Sequence, residues 1–97
     1  MEVDLERISR IVAEQYGIDP GALQHHGRRA GEAKALALEL ACRHTGLNQR
    51  EIGRHYGNIT SMAVCMARRR FREHQARDNP RLQKTLAKLE QNIFTEH

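Results

Sequence analysis

Apolar residues return every three or four positions along most of this chain, and no stretch alternates apolar with polar residues as a half-buried strand would. The pattern predicts helices throughout. Asp4 can cap a first helix reaching about Tyr16, with Leu5, Ile8, Val12 and Tyr16 on one face. Val3 before the cap and Ile8 inside the helix are placed as a hydrophobic staple, and Gly17 supplies the stop. Asp19-Pro20-Gly21 opens a turn or short helical piece over 18–23. Residues 24–31 are polar and basic, with glycines at 27 and 31, and read as a flexible loop. A second helix is expected over about 32–45. Its Leu36 and Leu40, with Ala33, Ala37 and Ala41, form a small-residue stripe that lets neighbouring helices approach closely, and Gly46 ends it.

The most specific local signals follow. Asn48 and Glu51 have the spacing of a capping box, with Leu47 and Ile52 at the staple positions around it. The short helix they open, over 49–56, stops at Gly57. Thr60 can cap the next helix, and Ile59 and Val64 occupy a second pair of staple positions. Two capped helices separated by about four residues describe a helix-turn-helix. Gly53 costs its helix about 1 kcal/mol relative to alanine, a cost explained if the second helix crosses close by.

That second helix, over 61–77, has two unlike faces. Val64, Ala67, Phe71 and Gln75 point one way and should pack inward; Met62, Cys65, Met66 and Arg69 point roughly the opposite way. An outward face of sulfur-bearing side chains is odd for a solvated helix but suits a DNA major groove, where apolar groups meet thymine methyls. Asp78-Asn79-Pro80 then stops one helix and starts another, with proline at its favourable first position. Leu82, Leu86, Leu89 and Ile93 form its apolar stripe over about 80–94. The stripe is read as core packing, with a dimer or fused-domain contact as its second use.

At 97 residues the chain holds one domain, 1–97, and the fold class is all-α: a small helical bundle with a helix-turn-helix. Charge sharpens the picture more than its net value of +4 suggests. Arginine outnumbers lysine thirteen to three, and it clusters at Arg28–Arg29 and at Arg68, Arg69, Arg70 and Arg72. A guanidinium fork grips phosphate or guanine bidentately, which an ammonium does not. Cys42 and Cys65 lie inside apolar-periodic helices without metal-binding spacing and read as free, buried thiols; the six histidines make no zinc-finger spacing with them.

From Val3 to Arg72 the order of these features resembles the C-terminal DNA-binding domain of the bacterial replication initiator DnaA, a domain also found at the C-terminus of some REP-associated transposases. The resemblance rests on an amphipathic first helix ending in "VAEQYGI", then "GAL" and a basic loop, the alanine- and leucine-rich "EAKALALELACRHTGL", and above all "NQREIGRHYGN", similar to the family's S-x-x-E-I-G-x-x-F-G-G. It implies a Trp-repressor-like helix-turn-helix in which the basic loop, here carrying Arg28 and Arg29, enters the minor groove and the helix after the glycine turn reads the major groove. Lys34 fits a basic position at the start of the long helix. Where the family carries R-D-H-T-T-V, this chain has Ile59-Thr60-Ser61-Met62-Ala63-Val64. The resemblance therefore implies the fold and the binding mode but not the replication-origin box. On the helix-turn-helix template Ile52, Gly53, Tyr56 and Gly57 match, and Val64 and Ala67 match if the turn is one residue longer.

The expected function is sequence-specific binding of double-stranded DNA. Its candidate contacts are Arg28, Arg29, Lys34, Arg50, Thr60, Ser61, Met62, Cys65, Met66, Arg69 and Arg72, with Arg69 on a base and Arg72 on phosphate. No phosphate-binding glycine loop or ATPase module is present, and His44, His55 and His74 lie at separate helical positions, so neither catalysis nor a cofactor, metal or small-molecule substrate is expected. No apolar run approaches membrane-spanning length and the N-terminus is unlike a signal peptide, which predicts a cytoplasmic, nucleoid-associated protein with no membrane partner. The alternative is a protein-interaction module docking a partner helix on Met62, Cys65 and Met66, since methionine is common on adaptable surfaces. RNA ranks third: two Phe, two Tyr and no Trp are too few for a stacking surface.

Overall fold

The described residues of the chain fold as five α-helices. A computed structural model describes residues 3–24, 31–75 and 77–95, with the side chains of His74 and Gln75 outside that description. Helix α1 is Leu5–Tyr16, followed by a 3₁₀ turn Pro20–Gln24; then come α2 Gly31–His44, α3 Gln49–His55, α4 Ser61–Arg70 and α5 Pro80–Thr95. Among the described residues there is no strand. The caps expected from the sequence are formed: Asp4 accepts from the Arg7 amide at 2.7 Å and Thr60 from Ala63 at 3.1 Å; Asn79 also accepts from Leu82, at 3.2 Å. Asn48 and Glu51 make the full capping box. The expected loop over 24–31 lies, from 25 to 30, outside the described residues.

Helix α2 is the hub. From Ala35 to Ala41 every residue is buried, as a helix must be when neighbours cover it on several sides. It packs against α1, α3 and α4. Its alanines keep those neighbours close, and Leu36 and Leu40 fill the space between them. Ile8, Ile11 and Val12 of α1, Ile52 and Tyr56 around α3, Val64 and Phe71 around α4, and Leu82, Leu89 and Ile93 of α5 complete one core. The apolar stripe of α5 is thereby taken up largely inside the chain, with Leu86 only partly covered, and α5 lies against α1. Tyr56 is buried, and its hydroxyl shares a hydrogen bond with Ser9 at 2.8 Å, so its polar tip is satisfied without reaching solvent. Burial pushes this phenol up to about 12, against which the Ser9 bond acts in the opposite direction.

Three expectations need correction. Regular α-helix ends at Arg70, and Phe71–Gln75 continue as a wider π-type turn rather than as helix to residue 77. Apolar spacing at 3.6 residues cannot separate one widened turn from a regular one. Leu47 stays exposed, so only its staple partner Ile52 is in the core. Cys65 is exposed rather than buried, because it belongs to the outward face of α4, while Cys42 is half-buried; both are free thiols.

The α3–α4 turn explains Gly53. Gly57 (φ 92°) and Asn58 (φ 56°) are both left-handed, which glycine tolerates freely and asparagine better than most residues. They swing the chain back so that the Ile59 amide donates to the Gly53 carbonyl at 2.9 Å. The Ile59 carbonyl then lies beneath Gly53, where a β-carbon would stand 2.3 Å from its oxygen and 3.2 Å from Val64 Cγ2. Gly53→Ala is expected to destabilise the fold by about 2–3 kcal/mol, the overpacking cost exceeding the ~1 kcal/mol helix-propensity gain. Urea unfolding measures this; an unchanged or raised midpoint would show that α3 and α4 can separate without cost.

Candidate nucleic-acid interface

Helix α4 presents one face to the core and the other to solvent. Val64 is buried and Ala67 partly so. On the opposite face Met62 is 69% exposed and Met66 55% exposed, with Cys65 between them and Arg69 one turn further on. Ser61 is exposed at the helix start, while the Thr60 hydroxyl is committed to the cap. Those sequence-predicted positions on α4 therefore share one exposed surface.

The arginines divide by helical geometry. Arg68 and Arg72, four apart, turn inward to Glu39 on α2, at 3.0 Å and 3.1 Å. Arg43 holds the same carboxylate at 2.6 Å and reaches Glu90 of α5 at 2.9 Å, where His44 Nε2 also donates at 3.0 Å. The Glu39 side chain is fully buried. Burial pushes its carboxyl pKa up, but hydrogen bonds from Arg68, Arg72 and Arg43 outweigh this and hold it below the usual carboxylate range. Arg72, expected on phosphate, is thus drawn toward the protein, with its side chain still 54% exposed. Sequence reasoning passed over Glu39. Its signal was an acid inside the apolar run "ALALELA" of a helix otherwise buried on nearly every side.

Arg69 and Arg70 point outward. Arg69 pairs with Glu73 at 3.3 Å, both exposed, an interaction of small worth that a stronger ligand can displace. Arg70 forms no ion pair with any described residue, and it lines, with Met66, Arg69 and Glu73, a shallow depression of about 340 Å³. Arg50, also exposed, stands at the start of α3. A neighbouring groove of about 260 Å³ has an apolar floor that includes Leu38, Ile59 and Ala67, and Lys34 and Arg70 line it as well. Lys34 is half-buried there, and loss of solvation lowers its pKa. Arg28 and Arg29 lie outside the described residues, but both flanks of their segment are placed. A β-carbon on Gly57 would lie 2.5 Å from the Gln24 carbonyl, and Gly31 lines the same groove as Arg70. Among the described residues no three histidine, cysteine, aspartate or glutamate side chains are grouped to hold a metal, and no helix is long and apolar enough to cross a membrane.

A depressed carboxyl pKa is a statement about stability. Glu39 contributes its full stabilisation above its unfolded value of about 4.3, and that contribution is lost as pH falls through the lower folded value. Wild type is therefore expected to lose stability more steeply than Glu39→Gln below about pH 4. At pH 7 the variant should be less stable by about 2–3 kcal/mol, less than the ~3–5 for breaking a wholly buried pair because Arg43 and Arg72 remain partly solvated. Urea midpoints of both proteins from pH 7 to pH 2 provide the check; parallel curves would mean that Glu39 titrates as in the unfolded chain. Compared with known proteins, the chain matches no family model and no functionally described sequence.

Proposed function

We propose that this chain binds double-stranded DNA sequence-selectively, with α3 and α4 acting as a helix-turn-helix, α4 lying in the major groove and the Arg28–Arg29 segment reaching the adjacent minor groove. The observation that carries the reading is the outward face of α4. It is a protruding helical ridge of apolar and guanidinium groups, held from behind by Val64, Phe71 and the Glu39 bridges. A ridge fixed on one side and chemically mixed on the other suits base edges framed by phosphates. Such a protein would reside with the nucleoid. The bundle with a four-residue turn between α3 and the Thr60 cap is also in keeping with the resemblance to the initiator DNA-binding domain. The competing reading, a partner helix docked on Met62, Cys65 and Met66, is favoured by the exposure of the two methionines but leaves Arg69 and Arg70 without a role.

In this reading Arg69 meets a base edge, Arg70, Arg50 and Lys34 meet phosphate, and Arg68 and Arg72 orient the helix. Affinity should fall with salt at a log–log slope of about −0.9 for each phosphate neutralised. Arg70→Ala should remove about one such unit, whereas Arg72→Ala should leave the slope unchanged and lower the unfolding midpoint. Equal slope changes in the two variants would reverse the assignment. A flat salt response of the wild type would end the DNA reading altogether. Replacing Arg28 and Arg29 together by alanine should weaken binding most on A-tract duplexes, whose narrow minor grooves attract arginine, with helicity by circular dichroism unchanged. An A-tract affinity equal to wild type would exclude the segment from the groove.

A further inference from the structure

The exposed face of α4 has an unusual chemistry. Over its first two turns it offers Met62, Cys65 and Met66, two thioethers and a thiol, beside the single hydroxyl of Ser61. Thr60 spends its hydroxyl on the Ala63 amide. No amide or carboxylate side chain stands on this stretch, so the bidentate grip on adenine made by asparagine or glutamine, and acceptance from cytosine by an acid, are both absent from it. The strong hydrogen-bonding groups nearest this stretch are Arg69, a turn later on the same face, and Arg70 beside it.

We infer, on the reading of the protein as a DNA binder, that the Met62–Met66 face selects thymine through its 5-methyl group, so that the protein reads methyls rather than hydrogen-bonding edges over this part of its site. The methyl is the only apolar feature that a base pair displays in the major groove. Met62 and Met66 are both more than half exposed, and that surface gains by leaving water. Their unbranched thioether chains adapt to a soft target without needing fixed geometry. The occupant must also tolerate guanidinium groups, because Arg69 and Arg70 share a depression with Met66. A duplex supplies methyls and phosphates within a few ångströms of each other, whereas an apolar partner helix would have to bury or neutralise those arginines.

Spacing makes the inference narrower. Four residues of helix rise about 6 Å, and successive base pairs rise about 3.4 Å, so a helix lying along the groove sets the two methionines on thymines about two steps apart. Arg69 then falls beyond Met66, on the side of the site where a guanine edge would be read.

The test begins with a duplex selected from a random pool by the purified chain. Each thymine is then replaced in turn by deoxyuridine, which removes the methyl and keeps the pairing edge. Binding of the wild type should drop about fourfold at each of two positions about two steps apart, the effect of uncovering one carbon. Met62→Ala should abolish the thymine-over-uracil ratio at one position and Met66→Ala at the other; both residues are exposed, so folding is undisturbed. Sequence-selective, salt-dependent binding with ratios near one at every thymine overturns methyl reading and leaves DNA binding standing. Ratios that survive in both methionine variants overturn it too, by placing the effect in duplex shape. Absence of binding to any duplex at low salt removes both.

Discussion

A single carboxylate, that of Glu39, ties α4 to the core. It is wholly buried on the central helix, and three guanidiniums, from α2, α4 and the π-type turn after α4, converge on it. An isolated charge at that depth would be strongly unfavourable, and an apolar residue of similar size would fill the space at least as well. What an apolar residue lacks is direction. Arg68 and Arg72 reach Glu39 only when α4 has one rotation about its own axis, and that rotation sends Met62, Cys65, Met66 and Arg69 outward. The ion cluster thus fixes which face of α4 is presented, a task for which burial of Val64 and Phe71 alone leaves more latitude.

The same cluster explains how a run of arginines divides between two surroundings. Arg68, Arg69 and Arg70 are consecutive, yet a helix turns 100° per residue and sends them to different surroundings. Arg68 turns inward and, with Arg72 and Arg43, neutralises Glu39. Arg69 and Arg70 stay exposed, Arg69 beside Glu73. Net charge and arginine count therefore overstate the cation available at the surface, and the Arg43–Glu90 and His44–Glu90 contacts draw the last helix into the same network.

Much of this fold was legible in the sequence because its signals are local. Asp4, Asn48 and Thr60 cap the helices they precede, and each acts within three residues of itself. Gly53 could be recognised as a point of close approach because glycine inside a helix is unfavourable without a reason. The Glu39 cluster was not legible, since its partners are up to 33 residues away and nothing local distinguishes an arginine that faces a carboxylate from one that faces water. The assignment of Arg72 to phosphate was made for that reason. The exposed face of α4 was legible from periodicity, which fixes direction; what that face touches is not encoded in periodicity at all.

The turn between α3 and α4 also bears on the basic segment before α2. Gly57 packs so closely on the Gln24 carbonyl that a side chain at this position would collide with it, and Lys34 Nζ stands 3.3 Å from the same point. The start of the segment and the first turn of α2 that follows it are thereby held against the turn that leads into α4. Gln24, the start of α2 and the turn before α4 thus meet around the backbone of a single glycine. A larger residue at Gly57 would push these parts away from each other, and the strain of its left-handed φ would add to that cost. Gly57 thus serves the packing of Gln24 and α2 against the turn as much as the turn itself.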